Sequence, residues 1–400
     1  MIILIVHNSY QEPGGEDIVV DQEIALLRSA GHRVIEYRRS NSEVNTFGLK
    51  DRMLLPKRIV WAGDSIRDIK KLLVDVKPDI VHVHNTFFLI SPGVYYALSS
   101  LGIPVVKSLQ NYRLLCPAAI FYRDGKICED CLHKSVPYPS VLHRCYHTSS
   151  TASIAVASML TTHNFLRTWK EHVDLYIAVT EFLREKFIEG GFPAGRIRVK
   201  PNVVMPDPGR RTNENGYAVF AGRLVPEKGL WTLLEAWRRL KNIPLKIFGA
   251  GNLLSGIQEV KRDLPLVEIM GFRPHEEIFQ FLKGARCLIF PSQWFEGFPL
   301  AIAEAFACGV PVIASRLGGM AEIIQDGRTG LLFTPGDAND LVAKVQWAWS
   351  HHEEMTKMGQ EARKAYEEKF SPQRNYQTLM EIYELAIQMR RSRAQATAGR

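Results

Sequence analysis

The residues best suited to chemistry lie in the C-terminal half of the chain, where Glu296 and Glu304 stand eight positions apart. They follow an apolar run, Cys287 to Phe290, that is typical of a strand, and ligands bind at the carboxyl ends of strands in open α/β sheets. The helix predicted after Pro299 is otherwise apolar or small, so a buried Glu304 needs hydroxyl or N–H donors close by. Sugar or ribose hydroxyls would supply them, and backbone groups or water are the alternative.

The start of that helix is itself suited to binding an anion. We predict a helix from Leu300 to Cys308 with Pro299 at its first position, which proline favours. Its free N–H groups and the positive end of its dipole would then lie at the ligand edge of the sheet. A diphosphate is the kind of group that such a helix start binds.

A second group of residues follows another strand-like run, Tyr217 to Ala221. Gly222 and Arg223 come directly after this run, and Lys228 and Gly229 stand at the entrance to the next helix. Arginine presents a planar fork to two phosphate oxygens, and lysine adds a mobile point charge. Alone, these two cations would be interpreted as solvated surface residues. Together with the glutamates they favour a site for a leaving diphosphate.

The elements that must position these residues alternate along the whole chain. Short β-branched runs separated by helical segments are typical of parallel sheets with helices on both faces. The pattern predicts an α/β protein with two Rossmann-like, doubly wound parallel sheets. The predicted strands are Ile2–Val6, Val34–Tyr37, Ile80–Val83, Val105–Ser108 and Leu175–Val179 in the first half, and Tyr217–Ala221, Leu245–Phe248, Val267–Met270, Cys287–Phe290 and Val312–Ala314 in the second.

We expect two domains, because 400 residues exceed what one hydrophobic core usually serves. The first would span residues 1–203 and the second residues 204–371, with Lys200-Pro201-Asn202 and the Pro-, Gly- and Asn-rich segment 206–215 as the hinge. Residues 372–400 would form a helix that packs back toward the first domain and ends in a basic tail. Further helix signals are an N-cap at Asp64, a stop at Gly190-Gly191 and a start at Ser371-Pro372.

The pairing of Gly222-Arg223 and Lys228-Gly229 with the two glutamates closely resembles glycosyltransferase family 4, over essentially the whole chain. The resemblance implies a GT-B fold, in which two domains face a cleft. It also implies a UDP- or GDP-linked sugar donor, retention of the anomeric configuration and no catalytic metal, and no Asp-x-Asp motif occurs in the sequence. The expected enzyme is a hexosyltransferase that transfers sugar to a hydroxyl of a glycan or lipid-linked acceptor in cell-envelope or exopolysaccharide biosynthesis.

Within this resemblance, each residue takes the role of the motif position that it matches. Arg223 and Lys228 would hold the donor diphosphate, Glu296 would face the hydroxyls of the donor sugar, and Glu304 would bind the ribose. Preorganised charge would stabilise the departing diphosphate, and a phosphate oxygen would take the acceptor's proton, so no protein base is required. The remaining donor-site residues are Gly222, Gly271 and Phe272, the last two beside the base, and Gly297, Phe298, Pro299 and Leu300, whose backbone completes the site.

In the first half the resemblance matches the glycine loop, Gly14-Gly15, after the first strand. Without side chains there, the backbone can approach the pyrophosphate, whereas a plain strand-to-helix turn would need no pair of glycines. His84-Asn85 ends a strand and is a candidate acceptor contact, and a hydrogen-bonded strand-end histidine is an equal alternative. Gln110 falls where the family usually carries a histidine near the donor sugar. Glutamine donates and accepts hydrogen bonds, but it does not gain or lose a proton near neutral pH. We predict that Gln110 still contacts the donor sugar.

Four of the six cysteines fall in one insertion, residues 111–148. A Cys-x-x-Cys pair with two outlying cysteines is typical of a structural zinc site, and disulfides do not persist in a reducing compartment. Buried free thiols are the alternative. The predicted ligands are Cys116, Cys128, Cys131 and Cys145, with His133, His143 and His147 as substitutes.

The formal charge of +8 is concentrated locally. Between Arg38 and Lys71, nine basic residues stand against four acidic ones, interleaved with large apolar side chains. This mixture suits an anionic membrane surface or a phosphate-bearing acceptor, and a solvated helix face is an equal alternative. The opening run Met1–Val6 is too short for a signal peptide or a span. We expect a cytoplasmic protein, at the inner face of the membrane if the patch binds lipid, and no nucleic-acid partner.

Other functions are compatible with the same residues. A sugar-nucleotide-binding protein that has lost turnover would keep the same donor site. A phosphorylase would need pyridoxal phosphate and a lysine to hold it, and no residue can be assigned to that role. A nucleotide-sugar epimerase would not resemble the family along its whole length.

Overall fold

The computed structural model describes residues 1–12 and 14–398, and the chain divides into two compact units. The first unit comprises Met1–Phe121, Glu129–Val203 and the end of the chain from Asn375. The second comprises Tyr122–Cys128 and Val204–Arg374. Each unit contains a six-stranded sheet, and the strand pairs within both sheets are parallel.

The sheet of the first unit has the strand order β2-β1-β3-β4-β7-β8. Its strands are β1 Ile2–Ser9, β2 Arg33–Ser40, β3 Ile80–Asn85, β4 Val105–Leu109, β7 Leu175–Ala178 and β8 Ile197–Val199. A short antiparallel hairpin, β5 Tyr122–Arg123 and β6 Lys126–Ile127, lies in the cysteine-rich insertion and is assigned to the second unit. The helices are α1 Gly15–Ser29, α2 Leu49–Val60, α3 Gly63–Val76, α4 Val94–Ser100, α5 Tyr138–Leu142, α6 Ser150–Phe165, α7 Thr168–His172 and α8 Glu181–Glu189.

The second sheet has the order β11-β10-β9-β12-β13-β14. Its strands are β9 Tyr217–Ala221, β10 Leu245–Phe248, β11 Val267–Gly271, β12 Ala285–Phe290, β13 Val312–Ser315 and β14 Gly330–Phe333. The helices that follow are α9 Leu230–Trp237, α10 Leu254–Val260, α11 His275–Gly284, α12 Leu300–Ala307, α13 Gly318–Ile323, α14 Ala338–Ser350, α15 His352–Lys369 and α16 Pro372–Ala398.

Helices cover both faces of each sheet, which explains why the central strands are mostly apolar, whereas the edge strand β2 is largely polar and partly exposed. In the first unit, Ile3 and Ile5 of β1 belong to one buried cluster with Leu27 of α1 and with Leu379 and Tyr383 of α16. The second sheet has a separate buried cluster on each face. Among the described helices, none combines the length and the apolar character that crossing a bilayer requires.

All ten predicted strands are present, but the edge strands β8 and β14 and the hairpin strands β5 and β6 were missed. Each is only two to four residues long, and a run that short carries little periodic signal. The helix stop at Gly190-Gly191 is confirmed, since α8 ends at Glu189 and Gly191 has a positive φ of 84°. The N-cap prediction at Asp64 is wrong: Ala62 caps α3, and the Asp64 carboxylate instead accepts hydrogen bonds from Arg39 and Arg58.

Candidate active site

Lys228 and Glu296 meet where two neighbouring strands of the second sheet end. Lys228 lies in a short 3-10 turn after β9, and Glu296 lies between β12 and α12. The Lys228 ammonium donates to Glu296 Oε1 at 2.6 Å, and their side chains are only 12% and 6% exposed. The Ser292 hydroxyl and the Trp294 indole N–H donate to the same oxygen at 2.6 and 2.8 Å. Three donors on one oxygen therefore hold the Glu296 carboxylate in a single orientation.

Backbone contacts bring these two loops together. Gly229 ends the turn with a positive φ of 71°, and a Cβ built there would lie 1.9 Å from the carbonyl oxygen of Pro291. Only glycine allows this approach together with this conformation. The Gln293 amide also donates to the carbonyl oxygen of Glu227 at 2.8 Å. The glycine after Lys228 is thus a geometric requirement of the ion pair.

Arg223 leaves the same sheet edge but remains exposed. Its side chain is 63% exposed, and its nearest carboxylate oxygen, on Glu227, is 3.8 Å away. Such a long, solvated ion pair contributes little, so the guanidinium is available to an anion. Gly222, which precedes it, donates its amide to the carbonyl oxygen of Phe248.

Glu304 lies on α12 with a side chain that is 8% exposed, and its partner is a residue that the sequence analysis missed. His275 Nδ1, at the start of α11, is 2.9 Å from Glu304 Oε1. The hydrogen bond to this carboxylate raises the pKa of His275 above its ordinary value. The position of His275 in the sequence could have indicated its role, because it stands four residues beyond Gly271, at another strand end of the same sheet.

The start of α12 differs from the prediction in detail. Pro299 is the N-cap rather than the first helical residue, and the helix ends at Ala307 with Cys308 as its C-cap. Phe298 packs edge-to-face on Phe370, with ring centroids 5.5 Å apart. At the end of β11, Gly271 has a positive φ of 70°, and Phe272 is 77% exposed.

The glycine loop of the first unit opens α1. Gly14 is the N-cap and Gly15 the first helical residue, and the Gly14 amide donates to Asp17 Oδ2 at 2.9 Å. Asp17 also pairs with His7 Nε2 at 2.8 Å. A Cβ at Gly14 would meet no described atom within 4 Å, so the space beside this backbone is open.

Gln110 follows β4 and lines a small cavity at the carboxyl end of β3 and β4, together with His84, Asn85 and Lys107. Its side-chain amide is engaged in a reciprocal pair: Gln110 Nε2 donates to Asn202 Oδ1 at 3.2 Å, and Asn202 Nδ2 donates back to Gln110 Oε1 at 3.1 Å. Burial lowers the pKa of Lys107 to about 8. The cavity thus brings His84 and Asn85, the candidate acceptor contacts, together with Gln110, which is expected near the donor sugar.

His84 is buried and, within the described part of the chain, neither of its ring nitrogens makes a hydrogen bond. Its Nε2 is 3.2 Å from Glu23 Oε1 without hydrogen-bonding geometry, and burial lowers its pKa to about 3. The same carboxylate is 2.9 Å from His82 Nδ1 and 3.0 Å from the Lys200 ammonium. His82, two residues earlier on the same strand, instead contacts the Tyr383 and Ser108 hydroxyls.

In the part of the chain that the structure describes, no three of the four cysteines proposed as zinc ligands have sulfur atoms within 4.8 Å of one another. Among the described residues, the only set of three or more metal-binding side chains whose ligand atoms lie within 4.8 Å of one another is Glu23, His82 and His84. Cys116 and Cys131 are buried, and Cys128 and Cys145 are partly exposed. Zinc binding by the cysteines stays a prediction.

The geometry of the second unit can be compared with known proteins. Residues 206–365 match the family model of the glycosyl transferases group 1. This stretch contains Arg223, Lys228, Glu296 and Glu304, so these four residues of the second unit lie inside the matched domain. The match supports a transferase enzyme.

Two curated relatives agree with this assignment over part of their length. The chain is 34% identical over 176 residues to an uncharacterized glycosyltransferase of Methanocaldococcus jannaschii, covering 43% of this chain and 49% of that protein. It is 29% identical over 228 residues to the amylovoran biosynthesis glycosyltransferase AmsK of Erwinia amylovora, covering 53% of this chain and 56% of that protein. The chain thus spans about half the length of these relatives.

Solved structures extend the comparison to the whole chain. The Anabaena protein Alr3699/HepE, solved in complex with UDP-glucose, superimposes with a TM-score of 0.67 at 18% identity and covers 95% of this chain and 98% of its own. At this identity the likeness establishes the fold. The protein has the GT-B fold that the sequence predicted.

Proposed function

We propose that this protein is a retaining glycosyltransferase that moves a hexose-type sugar from a nucleoside diphosphate donor to a hydroxyl of a glycan or lipid-linked acceptor. The observation that carries the proposal is the grouping of Arg223, the Lys228–Glu296 pair and the start of α12 at one edge of the second sheet. These groups join cations and helix N–H donors to a fixed carboxylate, which is the combination that a sugar diphosphate needs. Biosynthesis of an envelope or exopolysaccharide glycan is the setting that the amylovoran relative supports.

In this proposal the bond between the anomeric carbon and the diphosphate oxygen breaks as the acceptor oxygen bonds to the same carbon on the same face. Arg223 and Lys228 stabilise the negative charge that develops on the departing phosphate, where such preorganised charge contributes most. A phosphate oxygen takes the proton of the acceptor hydroxyl. Glu296 Oε2, which accepts none of the three hydrogen bonds described above, accepts from a hydroxyl of the donor sugar. Glu304 accepts a hydrogen bond from a ribose hydroxyl, while His275 Nδ1 is paired with its Oε1.

The donor is proposed to carry uridine or guanosine. The Anabaena structure contains UDP-glucose, which favours uridine as the first base to test. A thermal-shift comparison of UDP-glucose, UDP-galactose and GDP-mannose would decide, because a ligand that binds the folded state raises the unfolding midpoint by mass action. No shift with any UDP- or GDP-sugar would contradict the proposed donor class.

Turnover separates the transferase from a sugar-nucleotide-binding protein of the same fold. Incubation with a radiolabelled donor and an extract of bacterial envelopes should release nucleoside diphosphate and move label into the glycan or lipid fraction. A pure binder would show the thermal shift without either product. Arg223→Ala and Glu304→Ala should each lower transfer efficiency on the order of a hundredfold. The matched control is Arg238→Ala, which removes an exposed arginine of the same unit that pairs with Glu235 at 3.1 Å.

A membrane surface is the partner proposed for α2. The first two turns of this helix project into solvent, with Leu49 79%, Met53 73% and Leu54 57% exposed. Lys50 and Lys57 are exposed among them, and neither forms an ion pair within the described residues. Exposed apolar side chains interleaved with lysines suit the interface of an anionic leaflet, and such contact would keep the enzyme at the inner face of the membrane.

Structural zinc on Cys116, Cys128, Cys131 and Cys145 is proposed on ligand type and spacing alone. Elemental analysis of protein purified without chelators should find about one zinc per chain, as a four-cysteine site holds one ion. Serine at Cys131 should abolish the zinc, whereas serine at Cys287, a buried strand residue outside the insertion, should not.

A further inference from the structure

The small cavity at the carboxyl end of β3 and β4 contains more positive than negative charge. Its titratable lining residues are Glu16, His84, Lys107 and Arg113. Burial lowers the pKa of His84 to about 3, so this imidazole is neutral, whereas Lys107, with a pKa lowered by burial to about 8, stays largely protonated at neutral pH. The wall of the cavity therefore has two cations and one carboxylate.

Lys107 carries its charge inside the protein without a carboxylate partner. The residue is 8% exposed, and its ammonium donates to the carbonyl oxygen of Ser108 at 2.7 Å and to that of His84. Within the described chain no carboxylate forms an ion pair with it, and Glu16 attracts it only from beyond ion-pair distance. Two neutral carbonyl groups do not replace a counter-charge, and buried charges are normally paired.

Glu16, the one carboxylate among the lining residues, already has other partners. Its Oε2 accepts hydrogen bonds from the Tyr10 hydroxyl at 2.8 Å and from Asn111 Nδ2 at 3.0 Å. It lies at the more exposed side of the cavity, in the first turn of α1. One positive charge therefore remains in excess, and the anion that balances it has to come from a ligand.

Arg113 is the second cation, and two aromatic rings hold its guanidinium. The guanidinium carbon lies 4.4 Å from the ring centroid of Phe87 and 5.0 Å from that of Tyr146. Its Nη1 donates to the carbonyl oxygen of Pro117, and no carboxylate pairs with it in the part of the chain that the structure describes. Because a guanidinium has five N–H donors in a planar fork, it can still bind two oxygens of an anion.

The size of the cavity limits which anion enters it. The volume is about 30 Å³. Space of about 10–15 Å³ is enough for one water molecule, so the cavity has room for about two oxygen atoms. A carboxylate presents two oxygens in one plane, whereas a phosphate monoester presents three around a larger centre. The cavity therefore fits a carboxylate better than a phosphate.

His84 adds a hydrogen-bonding group that has no partner. It is 1% exposed and lines the cavity, and neither ring nitrogen makes a hydrogen bond among the described residues. Buried polar groups are nearly always satisfied, so this imidazole indicates a partner from outside the chain. A hydroxyl next to the bound carboxylate would be such a partner, and an acidic sugar presents both groups side by side.

We propose that this cavity binds the carboxylate of an acidic sugar in the acceptor, such as a hexuronic acid residue. Lys107 and Arg113 bind the carboxylate oxygens, and His84 forms a hydrogen bond with a sugar hydroxyl. The carboxylate supplies the counter-charge that the buried ammonium lacks. The inference rests on the glycosyltransferase function proposed above and adds to it the chemical class of the acceptor.

Saturation-transfer NMR of the full-length chain with methyl glucuronide and methyl galacturonide tests the binding without any turnover. At least one of these acids should bind about tenfold more tightly than the neutral methyl glycoside of the same sugar, because a hydrogen bond to a charged group contributes about that much. Glucose 1-phosphate, which carries a phosphate instead of a carboxylate, should bind more weakly than the acid. Equal binding of the neutral glycoside, tighter binding of the phosphate, or binding of neither acid would overturn the proposal.

Variants at the two cations place the binding in this cavity. Lys107→Met keeps an unbranched side chain without the charge, and it should weaken binding of the acid about tenfold while leaving the neutral glycoside unchanged. Arg113→Gln should weaken the acid more than Arg113→Lys does, since lysine keeps the charge and loses only the planar fork. Lys77→Met removes an exposed lysine of the same unit and should change nothing. Parent-like binding of the acid by Lys107→Met or by Arg113→Gln would refute the proposal.

A transfer assay separates this proposal from the proposed function. Chemical reduction of the carboxyl groups in the envelope extract should remove most of the label incorporation, because the acceptor then lacks its anion. Incorporation that survives the reduction would overturn the acidic acceptor and leave the transferase intact. No incorporation with the untreated extract, together with binding of a methyl uronide, would overturn the transferase and leave the carboxylate site.

Discussion

Glu296 serves as the common acceptor for Lys228 and two further donors, whereas Lys228 has Glu296 as its carboxylate partner. Removing either residue therefore has unequal consequences. Glu296→Ala leaves the Lys228 ammonium without its counter-charge and the Trp294 indole N–H without its acceptor, whereas Ser292 can still donate to the carbonyl oxygen of Glu227. Breaking such a buried pair costs about 3 kcal/mol or more. Lys228→Ala leaves the glutamate with two donors, at a cost of about 1–2 kcal/mol.

Urea denaturation of both variants should show the lower midpoint for Glu296→Ala, and both should lose the thermal shift given by the donor. Arg238→Ala supplies the baseline for an exposed cation. A lower midpoint for Lys228→Ala would mean that the carboxylate is not held by the three hydrogen bonds described.

Gln110 and Asn202 exchange two hydrogen bonds, so substitutions at position 110 remove a defined number of them. Alanine removes both, and histidine can restore one, at about 1 kcal/mol for each bond. Gln110→Ala should therefore slow sugar transfer more than Gln110→His does, as measured by label incorporation.

Asn202→Ala separates two roles of this glutamine. If Gln110 also contacts the donor sugar, the Gln110→Ala variant should transfer sugar more slowly than the Asn202→Ala variant. Equal rates would show that Gln110 acts through Asn202 alone, and a histidine variant slower than alanine would show that the assignment to the family's position is wrong.

His275 should titrate above its usual pKa of about 6.5, because Glu304 stabilises the imidazolium. A group whose pKa is raised by folding stabilises the protein fully below its unfolded-state pKa, and this contribution disappears as pH rises through the folded-state pKa. His275→Gln should therefore lower the unfolding midpoint more at pH 6 than at pH 9.

An NMR titration of the His275 ring gives the direct measurement. The Glu304→Gln variant should return its pKa toward the usual value. A pKa at or below the usual value in the parent protein would contradict the pairing at 2.9 Å.

The α2 surface should bind anionic vesicles through charge and apolar contact together. Lys50→Glu with Lys57→Glu should reduce sedimentation with vesicles containing phosphatidylglycerol, and added salt should weaken binding by the parent protein. Lys261→Glu with Lys241→Glu, a double reversal in the second unit, is the matched control. Equal binding of the parent protein to neutral phosphatidylcholine vesicles would rule out an electrostatic contribution to membrane binding.

Much of the architecture was determined by the sequence alone, for local reasons. The β-branched runs predicted ten strands, because most positions of a strand covered on both faces are buried and apolar. The stop of α8 followed from Gly190-Gly191, since glycine tolerates the left-handed conformation that ends a helix. The spacing of Glu296 and Glu304 after a strand placed both at the sheet edge where ligands bind, because the chain direction within a parallel sheet is fixed.

Tertiary structure decided which side chains touch, because the partners are far apart in sequence. Glu296 meets Lys228 across 68 positions, and Glu304 meets His275 from another strand end. The edge strand β8 forms because β7 offers it a free row of hydrogen-bonding groups. This pairing cannot be predicted from the three residues of β8 by themselves. Local propensity acts over a few residues, whereas these contacts arise from burial of the whole core.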